Sequence, residues 1–293
     1  LIIGIILRIL GKKVIFDSHE NYYEDMKSKS LPKVVKSTIG FAWWLFEYVI
    51  GRMLSHIIVA NSYTLQRYPA RKATVIANYA PLRIIDGVVE GREIIGSKFC
   101  VVYVGGISSR RGIEKLNESL MLLNDNRIEL HLAGPIRNAN LKKKIKNYTC
   151  TVHHGILPWE EVTALIRGCD LGTALFQPIP TFLLYTHENV IKIFEYMALG
   201  LPVLISDFPK LKEFVESNDC GIAVDPTSPK AIAEAIKYLY ENPDIRKRMG
   251  ENGKRAFLER YNWEIEEKKL LNVYMTVLKS DRKQRRSSNS SQE

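Results

Sequence analysis

Residues 187–203 read HENVIKIFEYMALGLPV, and this stretch decides how the rest of the chain is read. Asn189 is a suitable helix N-cap, so the spacing predicts a helix over about 190–199. Gly200 and Pro202 then stop that helix, and Pro202-Val203-Leu204-Ile205 reads as a buried strand. A helix N-terminus offers unpaired backbone N–H groups and the positive end of the dipole, which together suit a phosphate. Lys192 stands in the first turn, and Glu195, three residues on, shares its face. The pair can meet a phosphate with the ammonium and a ribose diol with the carboxylate. Periodicity alone fits an ordinary amphipathic core helix with a glycine stop equally well.

Working outward, the same alternation of strand and helix recurs on both sides. Val14-Ile15-Phe16 is a short apolar run opening into Asp17-Ser18-His19-Glu20. Residues 32–55 form an aromatic-rich amphipathic helix, Ile57-Ile58-Val59-Ala60 a strand, Asn61-Ser62 the cap of a further helix, and Val75-Ile76-Ala77-Asn78 another strand. After a linker over 82–97, strands are expected at Phe99–Val104, Glu129–Ala133, Thr151–His154, Asp170–Leu175 and Gly221–Val224, with helices near Gly112, Pro158, Pro229–Glu241 and 263–279. Repeated strand–helix–strand units mean parallel α/β sheets. Ligands in such sheets bind outside the carboxyl ends of the strands. His19, Gly105-Gly106, Gly134-Pro135 and Asn189 all lie on loops of that kind.

The string IKIFEYMALGLPVLIS resembles the donor-site signature of the family 4 (group 1) glycosyltransferases. The resemblance covers roughly residues 12–275 and is strongest in the carboxyl-terminal part. It implies an α/β fold of the GT-B type, with two Rossmann-like domains facing a cleft and the first one lacking its amino-terminal part. The expected domains are 1–94 on the acceptor side, 95–262 for the nucleotide-sugar, a helix over 263–280 crossing back to the first domain, and a disordered polar tail over 281–293. The activity implied is retaining, metal-independent transfer of a sugar from a nucleotide diphosphate. The acceptor expected is a glycan or a lipid-linked molecule, in surface polysaccharide synthesis. The donor is a substrate, and no cofactor or metal is expected.

Residue roles follow from the resemblance position by position. Lys192, Val190 and the helix start would hold the donor diphosphate, and Glu195 the ribose. The acidic residue that many members carry eight positions before this glutamate is His187 here, with Glu188 one residue off, so these two are the candidates for the sugar contact. VVYVGGISSRRGIEKL carries the second motif. Gly106 stands where members have a basic residue, Arg111-Gly112 matches their Lys-Gly pair, and Arg110 and Arg111 would share the diphosphate. Taken without the family, two adjacent arginines fit a solvated surface as well. In FDSHE, His19 matches a histidine near the transferred sugar and acceptor, the candidate catalytic residue. Ile156, after the strand at 151–154, is the candidate base contact.

Composition bounds the partners. A net charge of +10 favours an anionic partner: nucleotide phosphates, a lipid phosphate or an acidic membrane surface. No nucleic-acid recognition motif is present, so nucleic acid is not expected. Trp43, Trp44, Phe41 and Phe46 beside Lys33, Lys36 and Arg52 fit either core packing or peripheral membrane association. Leu1–Leu10 is apolar but too short to span a bilayer. It reads as the face of an amphipathic helix, with further residues expected before Leu1. Four scattered cysteines without ligand spacing read as buried thiols of a reducing compartment, so a cytoplasmic protein, placed against the inner membrane face if it docks there, is expected. Glu160-Glu161 and Glu266-Glu267 are expected on solvated helix faces. Two other classes stay open on the sequence: a non-catalytic nucleotide-sugar-binding partner, and an epimerase or hydrolase of the same fold.

Overall fold

The described residues form two parallel sheets, one of three strands and one of six. The computed structural model describes residues 2–18, 32–86 and 97–289, and these divide into two compact units. One contains Leu1–Asn78 and Trp263–Glu293, the other Tyr79–Asn262.

The first unit holds α1 (Ile2–Ile9), β1 (Ile15–Ser18), α2 (Lys33–Met53), β2 (His56–Val59), α3 (Ser62–Leu65), β3 (Ala73–Val75) and the last helix, α12 (Trp263–Asn289). Its strands lie parallel in the order β1-β2-β3. Successive side chains of a strand point to opposite faces, and both faces here are covered. Ile57 and Val59 pack with Tyr68 and Ala73, whereas Ile58 packs with Ile76, Val273, Trp263 and Leu270. Helix α12 therefore belongs to the core of this unit. Its Glu266 is 1% exposed and accepts the Ala77 N–H at 3.1 Å. The expected solvated position for Glu266 is thus corrected, because the carboxylate closes the end of a strand. Strand β3 starts at Ala73, two residues before its expected start, and ends at Val75, because its ladder with β2 ends at the Val59↔Val75 pair. Asn61 caps α3, with Oδ1 accepting the Thr64 N–H at 2.9 Å. Glu47 of α2 and Arg67 form a buried ion pair.

The second unit contains β4 (Phe99–Val104), α4 (Ile113–Leu123), β5 (Ile128–Ala133), α5 (Ala139–Lys146), β6 (Thr151–Gly155), α6 (Trp159–Gly168), β7 (Leu171–Ala174), α7 (Pro180–Leu183), α8 (Ile191–Ala198), β8 (Val203–Ser206), α9 (Pro209–Asn218), β9 (Gly221–Val224), α10 (Pro229–Glu241) and α11 (Pro243–Arg260). Six parallel strands run in the order β6-β5-β4-β7-β8-β9. The chain winds outward from β4 in one direction and from β7 in the other. The β4/β7 junction is therefore a topological switch point, with a crevice at its carboxyl end. Val101, Tyr103, Leu130 and Leu132 face a core completed by Ile113, Leu116, Ile232 and Ile236 of α4 and α10.

At the opposite end of that junction, Cys100 and Cys169 are joined as a disulfide, with Cα atoms 4.6 Å apart. This corrects the expectation of thiols for these two. They are 69 residues apart in the chain, and only the β4/β7 pairing makes them neighbours. Cys220 is a buried free thiol, pushed up to about 12 chiefly by burial.

Candidate functional site

The site is assembled where β4 and β7 end. Past Val104 the chain turns through Gly105 and Gly106 into a short helical turn, Ser109–Arg111. Gly112 then starts α4 with φ +75°, and a Cβ there would stand 2.0 Å from the Leu175 carbonyl oxygen. Only glycine tolerates both the left-handed backbone and that approach. Arg111 is thereby held against the segment that follows β7. The Arg110 carbonyl accepts the Gln177 N–H at 2.8 Å, which ties the same two segments together again.

Helix α8 delivers the other half. It is fixed by Tyr196, whose ring lies so close to β7 that a Cβ on Gly172 would meet it at 2.3 Å. The Tyr196 hydroxyl accepts the Val104 N–H at 3.1 Å and faces the Thr173 carbonyl at 3.4 Å. A buried hydroxyl thus joins the helix to both strands at the switch point. Asn189 does not cap α8. It forms a capping box with Thr186 around the turn His187–Asn189, because its side chain reaches back to the Thr186 N–H at 3.0 Å. Val190, 1% exposed, is the N-cap and supplies no side-chain bond. The first-turn N–H groups of Ile191 and Lys192 have no intrahelical acceptor.

Lys192 is 9% exposed. Its Nζ lies 5.0 Å from the centre of the Tyr103 ring and 5.6 Å from that of Phe176. It is 3.6 Å from the position a Cβ on Gly105 would take. The Arg111 guanidinium stands 5.8 Å from the same Phe176 ring. Burial and then the charge of Arg111 push Lys192 down to about 7, partly offset by Glu195. Burial raises Glu195 above the ordinary carboxylate range, against the pull of Lys192. Among the described residues, neither Lys192 nor Arg111 has a carboxylate within ion-pair distance.

Of the residues expected from the sequence, Gly106, Arg111, Lys192 and Glu195 come together around the β4/β7 junction. Arg110 is exposed beside them. His187 stacks on Phe214 at 4.5 Å, in a cluster with Tyr79, Phe194 and Tyr261. Burial lowers its pKa, against the pull of Glu188 and Glu213. Its Nδ1 is 4.0 Å from Glu188. Ile156 is 77% exposed, just past β6. His19 and Glu20 lie outside the described residues. Tyr103 and Phe176 were missed by motif reading. The available signal was positional: Phe176 lies two residues past the end of β7, and Tyr103 is the one hydroxyl-bearing side chain in the strand FCVVYV.

Residues 90–256 match the family described as glycosyl transferases group 1. The chain belongs to this family. Among curated proteins it is 23% identical over 292 residues to the alpha-D-kanosaminyltransferase of Streptomyces kanamyceticus, covering 92% of this chain and 72% of that one. It is 23% identical over 193 residues to the capsular polysaccharide biosynthesis glycosyltransferase CapM of Staphylococcus aureus, covering 64% of this chain and 48% of that one. The group 1 chain thus spans about half the length of CapM. Among solved structures it resembles Anabaena Alr3699/HepE in complex with UDP and glucose. That match has a TM-score of 0.67 at 16% identity over 94% of this chain and 74% of that one. The fold is GT-B.

Proposed function

We propose that this glycosyltransferase moves a sugar from a nucleoside diphosphate donor to a glycan or lipid-linked acceptor in surface polysaccharide synthesis, with retention of configuration and without a metal. The observation that carries the reading is the pair of cations, Arg111 and Lys192, held at the switch point beside an uncapped helix start with no carboxylate partner among the described residues. The diphosphate is the missing counter-charge. Its oxygens meet Arg111, Lys192, the first-turn N–H groups and the backbone at Gly106, with Arg110 at the rim. Glu195, one turn along α8, accepts the ribose hydroxyls.

In the transfer, the bond between the anomeric carbon and the diphosphate oxygen breaks, and one to the acceptor oxygen forms on the same face. The acceptor proton passes to the departing diphosphate oxygen. The two cations and the helix end stabilise the charge that develops there, which is where preorganised electrostatics contribute most. No cofactor is needed for this step. His19 is the proposed contact to the transferred sugar and acceptor, Glu188 is a sugar contact alongside His187, and Ile156 flanks the base. UDP is the first nucleotide to test, because HepE was solved with it. Calorimetry with UDP and GDP, on the wild type and on Lys192→Ala and Glu195→Ala, tests the site. Unchanged affinity in both variants would remove it. Product analysis with donor alone separates transfer from epimerisation or hydrolysis.

A cytoplasmic location at the inner face of a membrane is part of this proposal. Among the described residues no helix is long and apolar enough to cross a membrane. Helix α2, however, exposes Phe41, Trp44, Leu45, Tyr48 and Val49 along one face. Phe41, Trp44 and Tyr48 stack in series, and Arg52 sits 3.4 Å over the Tyr48 ring. An aromatic face ending in a cation suits the headgroup layer of an anionic bilayer. Co-sedimentation with phosphatidylglycerol vesicles should fall for Trp44→Ser and Tyr48→Ser. Equal sedimentation of both variants and wild type would discard the membrane role.

A further inference from the structure

The residues that hold the two cations are not the ones that would touch the donor. Lys192 lies between the faces of Tyr103 and Phe176, and Phe176 also faces Arg111. Both rings are nearly inaccessible, at 1% and 3% exposure. Tyr103 is fixed at its far end, where its hydroxyl donates to the Gly106 carbonyl at 2.9 Å. Phe176 is fixed by edge contacts to Phe182 at 5.0 Å and Tyr185 at 5.4 Å.

Two like charges against one aromatic ring, one of them buried and the other half-buried, would ordinarily be steadied by a carboxylate. A carboxylate would also compete with the diphosphate for both of them. An aromatic face attracts a cation through its quadrupole, yet carries no net charge that a ligand must displace. We propose that Tyr103 and Phe176 are positioning residues: an aromatic cage that holds Lys192 and Arg111 against one ring, without a carboxylate to compete, until a nucleoside diphosphate arrives. The inference rests on the donor-site reading above.

The groups facing Lys192 are Arg111, Glu195, Tyr103 and Phe176. Near pH 6 Lys192 is charged both before and after the ligand binds, so the ring's attraction cancels. Near pH 8 the free side chain is largely neutral and must be charged on binding, so the ring's attraction counts in full. Losing the ring should therefore weaken nucleotide binding about tenfold at pH 8 and only about twofold at pH 6, given the usual strength of a desolvated cation–π contact. A loss of packing alone would weaken binding equally at both pH values.

The test is calorimetric titration of UDP and GDP into the full chain at both pH values, with wild type, Phe176→Met and Phe176→Tyr. A series with mono-, di- and trifluorinated phenylalanine at position 176 keeps the shape of the ring while draining its face, and remains usable if Phe176→Met does not fold. The cage predicts the pH-selective loss for Phe176→Met, rescue by Phe176→Tyr, and a graded loss along the fluorinated series. If wild type binds a nucleotide and the fluorinated series binds it equally well at pH 8, the cage is overturned while the donor site stands. If wild type binds neither nucleotide, the donor-site reading falls and the cage falls with it.

Discussion

Donor binding should draw a proton onto Lys192. In the empty protein this ammonium is pushed from 10.5 down to about 7, so it is about half charged at pH 7. A diphosphate supplies the opposite charge at close range and restores the ordinary, charged state. With the charged form as the binding form, the competent fraction is about nine-tenths at pH 6 and one-tenth at pH 8. Affinity should then fall roughly tenfold across that interval, about 1.4 kcal/mol. Proton uptake per donor bound should rise from about 0.1 at pH 6 to about 0.9 at pH 8. The assay is calorimetry with a nucleotide sugar, whose diphosphate does not itself titrate near neutrality, run in two buffers of different ionisation enthalpy. UDP-glucose is the first choice, and GDP-mannose the second. At more acidic pH affinity should fall again, as protonation removes the Glu195 carboxylate, which burial makes easier to protonate than an ordinary one. Equal affinity at pH 6 and pH 8, with no proton uptake at pH 8, would refute the reasoning.

The same shift bears on stability. A base with a lowered folded pKa leaves the unfolded chain holding more protons between about pH 7 and 10.5, so the empty fold gains stability as pH rises through that window. Lys192→Met should therefore raise the thermal midpoint at pH 7 and below, by an amount reflecting ~3–5 kcal/mol at most, while abolishing donor binding. Gly172→Ala should cost about 3 kcal/mol or more, because the new Cβ would stand 2.3 Å from the Tyr196 ring; a thermal midpoint within a degree of wild type would count against this. Tyr196→Phe leaves the Val104 N–H without its acceptor at the switch point, and should cost about 1–3 kcal/mol in urea melts. Arg67→Met strands the buried Glu47 carboxylate, and a loss of roughly 3–5 kcal/mol is expected, recovered in part at low pH where that carboxylate is protonated.

Where an element's burial pattern is broad and local, the sequence shows it. Phe99–Val104 and Gly221–Val224 fall within bounds read from apolar runs, and α10 begins at Pro229 and ends at Glu241 as its cap, first-turn proline and periodicity require. Helix α11 escaped because its buried stripe is Met249, Gly250, Gly253, Ala256 and Phe257. Two glycines in such a stripe look like helix breakers. Here they are needed: a Cβ on Gly250 would stand 2.0 Å from the Gly200 carbonyl oxygen, and one on Gly253 would lie 3.2 Å from Met197. The helix that supports α8 from behind is therefore encoded by small side chains that carry no hydrophobic signal. Asn189 misled for a different reason. Its side chain has two N–H groups within reach, and the Thr186 turn takes it first.

The sequence by itself determined the local chemistry of this protein: α/β alternation, a helix starting near residue 190, and Lys192 and Glu195 one turn apart on the same face. Those features depend on spacing within a single element, which helical and strand periodicity fix. Tertiary structure alone decided that Lys192 has no carboxylate partner among the described residues, that it lies between Tyr103 and Phe176, and that Cys100 meets Cys169. Each of these depends on β4 and β7 being neighbours. Two intervening strand–helix units separate them in the chain, and a parallel sheet can take such units up on either side, so no local pattern records which strands end up adjacent.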